Sequence, residues 1–121
     1  MQDQSIQKQF KPWFVYMILD TDQHLYTGIT TNMARRWHEH ISGKAGARYF
    51  RGRQPALLCF LEEQVDRSHA SKRECAIKRL HRRDKVALLH HTSSNTHSLI
   101  TRFKWSEIPC LEDLSFLQDK L

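Results

Sequence analysis

A chain of 121 residues has room for one domain and is long enough to bury a core without disulfide or metal staples. With 40% hydrophobic and 26% charged residues it lies outside the disordered class, and no apolar run approaches the roughly 20 residues of a membrane helix. The formal charge of +6, the pI near 9.5 and the 8 histidines instead favour a polyanionic partner.

Residues 1–12 are polar, end in Lys11-Pro12 and carry neither strand nor helix periodicity, so they read as a flexible arm. Met1 to Ser5 is too polar to open a signal peptide. Cys59, Cys75 and Cys110 are odd in number and lack ligand spacing, which predicts reduced thiols and a cytoplasmic protein. Trp13 to Leu19 is a continuous apolar and aromatic run of strand length. Turn-forming Asp20-Thr21-Asp22-Gln23 follows, and Leu25 to Ile29 completes a hairpin.

Thr30 or Thr31 is a candidate cap for a helix starting near Asn32, with Met33, Trp37 and Ile41 as its apolar stripe and Gly43 as its stop. The next loop interleaves Lys44, Arg48, Arg51 and Arg53 with Tyr49 and Phe50. Ala56 to Leu61 is a third strand, ended by Glu62-Glu63. A helical pattern begins at Ser68, and a short helix is predicted from Asp84 to about His90. Thr92-Ser93-Ser94-Asn95-Thr96 reads as a linker, and residues 92–121 as a C-terminal extension whose end is acidic through Glu107, Glu112, Asp113 and Asp119.

One ordered set stands out: Phe14-Val15-Tyr16, Tyr26-Thr27-Gly28, Arg36, His40 and Glu74. It resembles the GIY-YIG nuclease superfamily, over roughly Trp13 to Leu89, and is most similar to small stand-alone bacterial members like the N-terminal nuclease domain of the excision-repair endonuclease subunit. Phe14 and Val15 stand where the name-giving motif has Gly and Ile, and Thr27 stands for Ile. The resemblance implies an α+β fold over residues 13–91, a small three-stranded antiparallel sheet flanked by helices. It further implies a divalent-metal-dependent endonuclease acting on DNA, with Mg2+ or Mn2+ held by Glu74, in repair or recombination.

Phosphodiester cleavage needs a positioned water, a base, charge neutralisation on the phosphate and help for the departing oxygen. Tyr16 and Tyr26, on paired strands, are both candidates for an activated phenol base. Gly28 lets the backbone lie close to substrate or to a catalytic side chain. Arg36 offers an always-charged planar fork to the phosphate. His40, four residues on, shares its side of the helix and is read as orienting the water or protonating the leaving oxygen. Glu74 also matches a capping box with Ser71, a purely structural alternative. Two basic sets flank these residues, Lys44, Arg48, Arg51 and Arg53 on one loop and Lys72, Arg73, Lys78, Arg79, Arg82, Arg83 and Lys85 further on. They read as backbone contacts to nucleic acid, with DNA as the expected partner and a targeting protein as a further one. A non-cleaving nucleic-acid-binding module and an RNA-directed nuclease remain the alternatives.

Overall fold

A computed structural model describes residues 11–110. The expected arm up to residue 10, and the acidic end at Glu112, Asp113 and Asp119, lie outside the described residues.

Three strands, β1 (Trp13–Asp20), β2 (Leu25–Thr30) and β3 (Pro55–Gln64), form an antiparallel sheet in the order β2-β1-β3. The fold is α+β, a three-stranded antiparallel sheet with three helices. Strand β1 is central and buried along nearly its whole length, which is why its sequence is continuous apolar rather than alternating. The hairpin turn is stapled by Asp20, whose carboxylate accepts from the backbone N–H of Asp22 and His24 at 2.8 and 2.9 Å.

Helix α1 (Met33–Ser42) starts on Asn32, not on either threonine: the Asn32 side chain accepts from the Arg35 N–H at 3.0 Å. It ends at Gly43, which adopts the left-handed conformation with φ 77°. A short 3-10 turn (Arg48–Phe50) leads to β3, which runs past Glu62-Glu63 to Gln64. Helix α2 (Arg67–Lys78) is capped by Asp66, which accepts from His69 N–H at 2.9 Å, so neither Ser68 nor Ser71 starts it. The capping-box alternative for Glu74 is thereby removed.

The largest departure from expectation is helix α3 (Arg82–Arg102), one element where a short helix and a linker were expected. Thr92 to Thr96 lies inside it. Val86, Leu89, Thr96, Leu99 and Ile100 form its buried side, and the Thr92 hydroxyl donates to the Leu88 carbonyl at 2.7 Å. The polar stretch is largely a solvated side of a helix whose apolar residues are spaced too widely to stand out.

Two cores result, one on each face of the sheet. Phe14, Tyr16 and Ile18 pack with Met33 and Trp37 of α1, with Phe50, and with Leu99, Ile100, Trp105 and Ile108. Val15, Met17 and Leu19 pack with Ala70 and Ile77 of α2 and Val86 and Leu89 of α3. Ile41 is not part of the first core: it is 47% exposed, and His40 takes the inward position instead. Among the described residues Cys59, Cys75 and Cys110 form no disulfide. Cys59 is buried and its thiol is pushed up to about 12 by desolvation, which leaves it unreactive. No helix among the described residues is long and apolar enough to cross a membrane.

Candidate active site

Antiparallel pairing places Tyr16 opposite Gly28 and Ile18 opposite Tyr26, so both tyrosines project from one face of the sheet. Their ring centroids lie 6.2 Å apart. The Tyr16 ring rests directly over Gly28: a Cβ there would sit 2.5 Å from the Tyr16 hydroxyl oxygen and 2.7 Å from Cζ. Gly28 is therefore needed because no other residue leaves room for the tyrosine.

His40 closes the cluster from α1. It is only 1% exposed, and both ring nitrogens are engaged. Its Nδ1 accepts from the Ala47 backbone N–H at 3.2 Å, which puts the proton of the neutral ring on Nε2. That Nε2–H donates to the Tyr16 hydroxyl oxygen at 2.8 Å. Burial, aided by the nearby Arg36 charge, lowers His40 to about 4, so the ring is neutral near pH 7.

Arg36 reaches the same oxygen, its Nε donating to Tyr16 at 3.4 Å. Its Nη1 donates to Glu39 and to the Ala45 carbonyl, both at 2.8 Å. The guanidinium is thus fixed in place by the loop that follows α1. Gly46 permits that loop to fold back, since a Cβ there would come within 2.6 Å of the Glu39 carbonyl oxygen. In the sequence Gly46 is one of three glycines of the basic loop, with no local signal that marks it as required.

With two N–H donors on its oxygen, Tyr16 has its own proton left to give. Its proton affinity is raised well above that of a free phenol, by burial first and then by the neighbouring Tyr26 and the charge of Glu74, against the opposing pull of Arg36. Glu74 lies on α2 between Ala70 and Ile77, the two residues that face the sheet. Its carboxylate is 22% exposed and pairs with Lys78 at 3.1 Å. Tyr26 is half-buried in an aromatic wall with Tyr49 and Phe50, and among the described residues its hydroxyl has no hydrogen-bond partner.

The five residues singled out from the sequence therefore fall around one phenol oxygen and one carboxylate. The chain matches the GIY-YIG catalytic domain over residues 12–87. The chain belongs to the GIY-YIG family. GIY-YIG domains are nuclease catalytic domains, and nucleic acid is the substrate class they imply. A UPF0213 protein of Desulfotalea psychrophila is 59% identical over 68 residues, covering 56% of this chain and 62% of that protein, a little under two thirds of its length. The UPF0213 protein YhbQ of Escherichia fergusonii is 41% identical over 97 residues, covering 80% of this chain and 95% of that protein. The solution structure of a UPF0213 protein from Bacillus halodurans is 35% identical and covers 68% of this chain and 86% of that one, with a TM-score of 0.46.

The basic residues distribute unevenly around this GIY-YIG centre. Lys44, Arg48, Arg51, Arg53 and Lys72 are exposed. Arg73 is taken up by Glu62 through two hydrogen bonds of 2.8 and 3.2 Å, and Lys78 by Glu74. Phe50 is a core residue, whereas Tyr49 is half-buried and donates its hydroxyl to Asp20 at 2.7 Å.

Asp20, Asp22 and His24 also converge at the hairpin turn with their ligand atoms within 4.8 Å of one another. Both Asp20 oxygens already accept protein hydrogen bonds. This group is a turn staple. Glu74, a hard carboxylate whose ion-pair partner among the described residues, Lys78, is half-exposed, suits a hydrated divalent cation better.

Proposed function

We propose that this protein is a divalent-metal-dependent nuclease that hydrolyses phosphodiester bonds in DNA, with Tyr16 as the general base and Glu74 as the ligand of a Mg2+ or Mn2+ ion. The observation that carries this reading is the convergence of the His40 and Arg36 N–H groups on the Tyr16 oxygen. Two donors aimed at a phenol oxygen favour its phenolate form. What opposes ionisation is burial and the negative field of Tyr26 and Glu74. A cation held by Glu74 would remove the smallest of these opposing influences, so the basicity of the Tyr16 oxygen would rest chiefly on the His40 and Arg36 donors and on release of its own proton to solvent before it accepts one from water.

A divalent ion at Glu74 would supply charge neutralisation on the phosphate and lower the acidity threshold of a coordinated water. The remaining parts are the chain's own. Arg36, pinned by Glu39 and Ala45, presents a fixed positive charge beside the phenol where negative charge develops. His40, with both ring nitrogens engaged by Tyr16 and Ala47, acts by holding Tyr16 in place. Tyr26 offers a free hydroxyl and an aromatic surface to the substrate. Lys44, Arg48, Arg51, Arg53 and Lys72 supply contacts to the phosphate backbone.

The test is cleavage of matched DNA and RNA substrates, each as duplex, single-stranded, flapped and branched forms, with Mg2+, with Mn2+ and with chelator. Metal-dependent cuts in DNA, reduced at least about 100-fold in Arg36→Ala and Glu74→Ala, are expected. Equal cutting in chelator would remove Glu74 from the account, and cutting of RNA alone would redirect the substrate. Nucleic-acid binding with no cleavage under any of these conditions would leave a binding module on a nuclease scaffold.

A further inference from the structure

A concave feature lies where the β1-β2 turn, the loop before β3 and the start of α3 meet. It is an open cleft of about 310 Å³ lined by His24, Leu25, Tyr49, Arg53, Arg82 and Lys85. Three of the six are arginine or lysine and none is acidic. Among the described residues, Arg53, Arg82 and Lys85 form no ion pair with any carboxylate. Three basic groups gathered on one cavity repel one another; Asp20, bonded to Tyr49 and paired with His24 of the lining, offsets this in part, and an anion in the cleft would relieve the rest.

The aromatic part of the lining is preorganised. Arg53 lies over the Tyr49 ring at 4.5 Å from its centroid, and its Nη1 donates to the Tyr49 carbonyl at 3.4 Å. Tyr49 is itself fixed from below by its hydroxyl bond to Asp20. The guanidinium is therefore held as a flat, charged surface, suited both to a phosphate and to the face of a nucleobase. The volume matches a single small ligand. Tyr49 also touches Tyr26, with ring centroids 5.0 Å apart, so the cleft and the candidate active site share one aromatic wall.

We propose that this cleft is a nucleotide subsite. It takes one phosphate-bearing nucleotide of the bound strand, its phosphate on Arg82 and Lys85 and its base against the Arg53 guanidinium, and so fixes the strand across Tyr26 relative to Tyr16. The proposal rests on the nuclease reading for its substrate, and its ligand chemistry is shared with a free mononucleotide acting as an effector.

The test is equilibrium binding by the full chain in excess chelator, where no cutting occurs. A fluorescent single-stranded DNA and a deoxynucleoside monophosphate serve as probes. The variants are Arg82→Gln/Lys85→Gln, Arg53→Gln and, as a charge-matched control, Lys11→Gln/Lys104→Gln, each checked by its thermal midpoint. The strand subsite predicts that the Arg82/Lys85 pair weakens oligonucleotide binding at least about 10-fold more than the control and lowers the salt slope by about 2. Arg53→Gln should weaken it several-fold. Loss of monophosphate binding with oligonucleotide binding intact would assign the cleft to a free nucleotide. If both pocket variants bind both probes as the control does, the subsite is excluded. A wild-type protein that never cleaves would overturn the nuclease reading and leave this result standing.

Discussion

Tyr16 and His40 form a buried pair whose protonation has a measurable price. Below its ordinary pKa of 6.5, His40 in an unfolded chain takes up a proton, whereas the folded ring, desolvated and beside Arg36, resists until about 4. The unfolded state thus binds more protons across that interval. Stability is complete above about pH 6.5 and declines as pH falls towards 4, by up to about 3 kcal/mol from this group. Thermal midpoints at pH 7 and pH 4.5 should show a larger acid loss for the wild type than for His40→Gln. Equal losses would mean that His40 is not held neutral. Gly28→Ala drives a methyl group into the Tyr16 ring and should cost about 1 to 3 kcal/mol in chemical unfolding, with loss of nuclease activity beyond what unfolding explains. At this scale the sequence marked both tyrosines, Arg36, His40 and Glu74, because their order and spacing form a recognisable pattern. It could not show that His40 points inward and Ile41 outward, since adjacent positions on one helix differ by only a fraction of a turn. Nor could it show that Gly46 is required, because the close approach to Glu39 exists only once the loop has folded.

At the scale of elements, the outer edge of β3 is covered rather than left open. The Leu61 N–H donates to the Thr96 hydroxyl at 3.1 Å, the Leu58 N–H donates to the Pro109 carbonyl at 2.8 Å, and Arg102 pairs with Glu63. Helix α3 therefore protects an edge that would otherwise invite pairing with another chain. Thr96→Val keeps the shape but leaves the Leu61 N–H without an acceptor, and should cost about 1 to 3 kcal/mol in urea unfolding while sparing activity per folded molecule. An unchanged midpoint would mean that water replaces the hydroxyl. The three strands and the span of α1 were legible because apolar runs and a stop glycine are local signals, whereas the cap of α1 fell on Asn32 and not on a threonine. The length of α3 was not, because Thr92 to Thr96 makes no local apolar pattern and is helical only through what Thr96 and Leu99 meet across the chain.

At the scale of the molecule, the two faces of the sheet bring different things to one place. One face carries Tyr16, Tyr26, Arg36 and His40 within an aromatic core. The other carries α2, which contacts β2 and brings Glu74 close enough for its charge to act on Tyr16. The net charge of +6 surrounds this point with exposed cations, so binding of nucleic acid should weaken steeply as salt rises. The general-base role of Tyr16 is tested most directly by the rate at which supercoiled plasmid is nicked by wild-type protein and by Tyr16→Phe under identical Mg2+ and salt. It predicts a fall of at least about 100-fold for the variant at a temperature where both proteins stay folded, the thermal midpoint dropping by the roughly 1 to 3 kcal/mol that a buried N–H left without its acceptor costs. A Tyr16→Phe protein that nicks DNA at the wild-type rate would contradict it.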